Sequence, residues 1–191
     1  MRKKIKQIIL MMLVGMMLTG SAVPVLAEDT AAADTAAEKE TIPTVTLKKQ
    51  KFTQKTSTAK KKSKDVEIGE TIVKMPAKGM GYLKFTAPKK GTYKFTFSDL
   101  KKKKGIRGYI NLQVPKTGKT TKLIKKKVNT WGGSTHELWI GIKDYKHKTY
   151  PKIYWPRAVR NAKVKLKKGQ EIYVFFSFEA KDTLHLKIRK V

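Results

Sequence analysis

Three histidines, His136, His147 and His185, are the first residues to test for chemistry. None has a second histidine at a spacing that would place two imidazoles on one metal ion, and His136-Glu137 lacks the second histidine of a zincin helix. Gly132-Gly133-Ser134 is not the G-x-S-x-G turn that exposes a serine nucleophile. Glu137 and Asp144 could act as the carboxylate pair of a glycoside hydrolase, but nothing in their spacing sets them apart from any other two acids. There is no glycine loop for phosphate. Cysteine is absent, which removes thiolate metal sites, disulfides and lipid attachment through a thiol. No set of acid, base and nucleophile can be assembled. The expectation is a protein that is not an enzyme, with no catalytic residues, no metal and no cofactor.

Binding chemistry is better represented. Residues 144–161 read DYKHKTYPKIYWPRAVRN, with aromatic and basic side chains interleaved and two prolines that prevent regular structure. Long loops of this kind are often functional. Trp131, Tyr150, Tyr154, Trp155, Arg157 and Arg160 form the candidate ligand-binding set. Aromatic rings stack on sugars or nucleobases, and arginines clamp phosphate or uronate groups. The competing reading is packing: Tyr154 and Trp155 would plug an open end of the fold, and Trp131 would cover a strand edge, since large rings are usually buried. Trp139 is expected to face solvent or meet the long loop, because Leu138 and Ile140 beside it point inward.

Charge narrows the partner. The chain has 44 basic and 14 acidic side chains, a net +30. Five acids precede Thr41, and from there on 39 basic residues face 9 acidic ones, again +30. Such a field draws polyanions and makes their binding sensitive to salt. Lysine dominates over arginine, which suits loose contact with phosphates more than bidentate recognition. Lysine also solvates strand faces and blunts sheet edges, which accounts for single residues but poorly for the total.

The elements that must carry these residues follow a secretory pattern. Arg2, Lys3, Lys4 and Lys6 precede an apolar run over residues 8–18, and Val25-Leu26-Ala27 supplies a cleavage site. Residues 1–27 are therefore read as a signal peptide, too short in its apolar part to span a bilayer. Residues 28–63 contain few large apolar side chains and are expected to be a disordered linker. No later stretch is apolar enough to cross a membrane, so the mature chain is expected to be extracellular, with charge as the means of staying at a cell wall. A secreted chain without disulfides points to a bacterium.

Residues 64–191 alternate in the manner of strands. Leu83, Phe85 and Ala87 share one face, and Tyr93, Phe95 and Phe97 share another, with Pro88-Lys89-Lys90-Gly91 between them. This reads as a β-hairpin. Further alternating runs carry Ile110, Leu112 and Val114, then Leu138, Ile140 and Ile142, then Val164 and Leu166, then Leu184, Leu186 and Ile188. Residues 172–178 are apolar on both faces, which predicts a central strand. No segment has a helical period. About eight short strands predict an all-β, antiparallel, jelly-roll-like sandwich over residues 64–191.

Two stretches also resemble a family. Tyr82-Leu83-Lys84-Phe85-Thr86-Ala87-Pro88 with Gly91-Thr92-Tyr93 is similar to the "y-f-f-x-a-p … G-x-Y" pattern of bacterial pre-peptidase C-terminal (PPC) domains, and residues 164–174 look like that family's later strand pair. The resemblance implies a non-catalytic accessory module of secreted proteins, linked to surface or polysaccharide binding. Here no catalytic domain accompanies it, and acids for a calcium loop are scarce. The expected function is binding of anionic cell-envelope polymers, such as teichoic acid or acidic polysaccharide. A neutral carbohydrate-binding module and a structural subunit of a surface assembly are the alternatives. Nucleic acid fits the charge but finds no motif.

Overall fold

The structure, a computed structural model, describes residues 41–75, 77–101, 108–128, 136–142 and 157–191. Residues 40–191 make one compact unit. Two mixed sheets pack face to face. The first holds β1 (Thr44–Thr46), β3 (Gly69–Met75), β11 (Asp182–Lys190), β5 (Gly91–Ser98) and β9 (Arg160–Leu166), in that spatial order. The second holds β2 (Lys64–Val66), β4 (Gly79–Thr86), β10 (Glu171–Phe178), β6 (Gly108–Lys116) and β7 (Lys119–Lys125). A short β8 (Leu138–Ile140) pairs with the first residues of β6. The pairing is antiparallel apart from β1 with β3 and β2 with β4, which are parallel. The eleven strands among the described residues bear out the all-β sandwich and exceed the expected eight, because several are only three residues long.

The expected hairpin over residues 81–98 is corrected by the sheet order. β4 pairs with β2 and β10, while β5 pairs with β11 and β9 in the other sheet. The turn at residues 88–90 is an arch across the core. Alternation fixes which side chains are buried but not which backbone they bond, and here Phe85 meets Tyr93 and Phe95 ring to ring at 5.1 and 5.7 Å across the sandwich. The Tyr93 hydroxyl donates to the Lys89 carbonyl at 2.6 Å, so this buried ring also fastens the arch. β9 and β10 form a second arch through Gly169, whose φ of 74° suits a residue without Cβ. The two arches bond to each other, Gly169 N–H to the Ala87 carbonyl at 2.8 Å and Ala87 N–H to the Gln170 carbonyl at 3.0 Å. β6 and β7, by contrast, do form a hairpin. β10 lies at the centre of its sheet, as its two apolar faces predicted.

Residues 41–63 correct the expected linker boundary. They are ordered, and the folded unit begins at Glu40 rather than at residue 64. After β1 the chain rounds the end of the sandwich at Leu47 and crosses Gly81, where an added Cβ would stand 2.9 Å from the Lys48 carbonyl. It then lies over the outer face of the second sheet and ends in a short helix, α1 (Thr56–Lys62), which packs on β4 and β7. Its few apolar residues suffice because the surface they cover is already formed. Ala59 joins Tyr82, Leu123, Tyr173 and Phe175 in a second buried cluster outside the main core. A charged network lies at the end of this segment. Lys60 reaches Glu171 at 3.3 Å, Tyr173 donates to Glu171 at 2.6 Å, and Lys84 bridges Asp65 at 2.9 Å.

Two outcomes follow. Phe95→Ala should lower the unfolding free energy by about 3–5 kcal/mol in urea titration, since it opens a cavity among packed rings. The Glu171 carboxyl feels burial, which pushes it up, but the bonds from Tyr173 and Lys60 and the charge of Lys84 outweigh this and hold it below its usual 4.5. Its stabilisation is therefore complete above about pH 4.5 and is lost as pH falls through the lower folded value. Glu171→Gln should narrow the stability gap to wild type on acidification, read from melting temperatures at neutral pH and at pH 3.

Candidate functional site

The outer face of the first sheet is built by the outward parity of β9, β5 and β11. Lys163 of β9 stands opposite Lys94 of β5, and Lys94 stands opposite Arg189 of β11. Neighbouring strands are about 4.8 Å apart, so three cations form one row across three strands. Lys165 lies in the next row, opposite Thr92, and Lys187 in the row on the other side, opposite Thr96. Glu70 is on this face but is bound by Lys187 at 3.0 Å. Lys94, Lys163, Lys165 and Arg189 form no ion pair among the described residues. Neighbouring cations within the row stand within one Debye length of each other, about 8 Å at physiological salt.

A solvating role accounts for Lys163 and Lys165, because β9 is an edge strand. It does not account for Lys94, which lies on an inner strand between two other cations. Like charges directly opposite one another destabilise a sheet. The row therefore costs stability and gains nothing inside the molecule, whereas a bound polyanion would relieve it. An array on the outer face of a sheet offers point charges without a shaped pocket, which suits a flexible chain of phosphates or carboxylates more than a single small ligand.

The sequence-derived binding set is divided by the structure. Trp131, Tyr150, Tyr154 and Trp155 lie outside the described residues. Arg157 and Arg160 come together where the chain crosses from the second sheet to the first. Arg157 bridges to Ile140, and its N–H donates to the Trp139 carbonyl at 3.2 Å. Arg160 Nε donates to the same carbonyl at 2.6 Å. Arg160 has the inward parity of Ala162 and Val164, so its side chain fastens one sheet to the other at the end of the sandwich. Trp139 packs against Tyr109, with ring centroids 5.4 Å apart. His185 sits opposite Ser98, with Asp99 4.0 Å away. Among the described residues no three His, Cys, Asp or Glu side chains gather as a metal site, and no helix is long and apolar enough to cross a membrane.

The cation row escaped the sequence reading. The outward parity of Lys163, Lys165 and Lys187 is legible in the alternation. Their juxtaposition with Lys94 and Arg189 depends on β5 lying between β9 and β11, which no local pattern states.

No family model matches the chain, and no curated protein matches it. Among solved structures the chain is similar to CorA, described as a surface-associated copper-binding protein important in copper acquisition in Methylomicrobium album BG8. The identity is 7%, the match covers 68% of this chain and 98% of that one, and the TM-score is 0.42.

Lys94→Glu places an acid between Lys163 and Arg189 and should raise stability by about 0.5–1 kcal/mol, measured by urea titration at low salt. The gain should shrink as salt screens the row.

Proposed function

We propose that this is a secreted, non-catalytic β-sandwich that binds anionic polymers of the cell envelope, with the outer face of the first sheet as its contact surface. The observation that carries the reading is the row Lys163–Lys94–Arg189, three adjacent cations without a carboxylate among them. Around it lies a domain with 39 basic and 9 acidic side chains from Thr41 onward, so the long-range field and the local array have the same sign. The mechanism is attraction of a polyanion to the face and release of its condensed counterions, with little shape recognition. The signal-peptide pattern supports export, and the resemblance of residues 82–93 and 164–174 to accessory modules supports a role without catalysis. Teichoic acid, with one phosphate per repeat, and acidic polysaccharide are the polymers of this chemistry at a bacterial surface.

The test is retention of the mature protein on purified wall sacculi, with and without teichoic acid, across a salt series. Retention should require the teichoic acid and fall steeply with salt. In Lys94→Glu the slope of log affinity against log salt should drop by about one or more. Retention that ignores both salt and teichoic acid would overturn the proposal.

A further inference from the structure

We propose that the outer face of the second sheet is a platform for a linear, uncharged glycan, and that residues 47–62 lie over it as a displaceable strap. The face is unlike that of the first sheet. Trp139 stands opposite Tyr109, and Asn111, Phe175 and Tyr82 form the next row across β6, β10 and β4. The rings touch in sequence, Trp139 to Tyr109 at 5.4 Å, Tyr109 to Phe175 at 6.0 Å, and Phe175 to Tyr82 at 4.9 Å. Gln113 and Tyr173 make the row beyond.

Two amides sit among these rings. Asn111 and Gln113 are 0% and 1% exposed. Gln113 Nε2 donates to Asn111 Oδ1 at 2.9 Å and lies 3.5 Å from the Tyr82 hydroxyl. Among the described residues Asn111 Nδ2 and Gln113 Oε1 have no partner, and neither has Oε1 of Gln50 in the strap. Buried polar groups without partners are costly, and an apolar pair of the same size would fill the space without that penalty. An unused donor beside an unused acceptor is what a sugar hydroxyl can satisfy, since it accepts and donates at once. Rings with a few placed polar groups are the usual lining of such sites.

The charges around the face decide the class of ligand. Lys84 is paired with Asp65 at 2.9 Å, and Lys125 with Glu137 at 3.2 Å. The rim is neutralised where the opposite sheet is not, so the ligand is uncharged. The aromatic row runs over β8, β6, β10 and β4 on a sheet surface, which favours a linear chain over a compact molecule.

The strap is poorly built to stay on its own. Residues 47–62 carry seven lysines and no acid. α1 has seven residues and no side-chain N-cap, too short to hold its own conformation. The ties are few. Gln50 N–H donates to the Met80 carbonyl at 2.8 Å, Leu123 N–H to the Gln54 carbonyl at 2.6 Å, and the Tyr82 hydroxyl bonds Thr53. Phe52 stands edge-on to Phe175 at 5.2 Å yet is itself 38% exposed. The exposed Lys60–Glu171 pair adds little. Tyr109 and Trp139 at the other end are only half-buried, so a glycan can seat there first and displace the strap as it extends.

The mature chain tests this with cellohexaose and chitohexaose, in salt high enough to silence the cationic face. Lys55 and Lys122 face each other in an antiparallel bridge, and the chain has no cysteine, so Lys55→Cys with Lys122→Cys gives a single reversible lock. Calorimetry should show one of the hexaoses binding the reduced double variant and losing at least tenfold in affinity on oxidation, with recovery on reduction. In the wild type that sugar should accelerate amide hydrogen exchange in residues 50–60. Trp139→Ala should weaken hexaose binding and leave retention on sacculi unchanged, and Lys94→Glu should do the reverse. Equal binding by the locked and open forms, or unchanged exchange in residues 50–60 on binding, would overturn the strap. No binding of either hexaose by the open form and the wild type would overturn the platform.

Discussion

Ring contact between the two sheets is the constraint on which this sandwich depends. Phe85 lies against Tyr93 and Phe95, and Phe97 lies against Phe176 at 6.1 Å. These are edge-to-face contacts, each worth about 0.5–1.5 kcal/mol beyond the area it buries. They join strands that share no backbone hydrogen bonds. The β4–β5 and β9–β10 turns must therefore be arches, and the Tyr93 hydroxyl and the reciprocal bonds between Ala87, Gly169 and Gln170 keep those arches closed. A chain without disulfides gains its cohesion from this core and its arches.

The same arrangement leaves two outer faces, which the chain treats in opposite ways. The first sheet turns lysine, arginine and threonine to solvent. The second turns tyrosine, phenylalanine and two amides outward and then covers most of them with its own residues 47–62. Burial leaves Tyr82 and Tyr173 more reluctant to ionise than a free tyrosine, and the neighbouring Glu171 adds to the effect at Tyr173. Both phenols thus remain donors, one to Thr53 and one to Glu171. The covering segment extends the folded unit, and beneath its seven lysines the second sheet keeps an aromatic and amide face whose own lysines, Lys84 and Lys125, are paired with acids.

The topology also has a kinetic consequence. β11 closes the first sheet by pairing with β3 and β5, and β10 closes the second by pairing with β4 and β6. Both central strands come from the end of the chain. Most pairings are distant in sequence, so loop closure must precede most of the reward and folding is expected to be slow. Abundant like charge works in the same direction as a guard against association, since it keeps partly folded chains apart.

The sequence by itself determined the class of fold, the inward residues and the sign of the field. Period-two alternation at Leu83–Phe85 and at Tyr93–Phe95–Phe97 is a local property, and burial follows from it wherever the strand is placed. The two apolar faces of residues 172–178 likewise announced a central strand. Charge is additive and needs no fold to be counted. Only the tertiary structure decided that residues 81–98 arch between sheets, because side-chain parity is the same in a hairpin and in an arch. It alone brought Lys163, Lys94 and Arg189 into one row, since their proximity is a matter of strand order. It also decided that residues 41–63 are ordered. A segment too polar to fold alone is still held when a preformed surface supplies the apolar partner, and that surface is assembled from strands far along the chain.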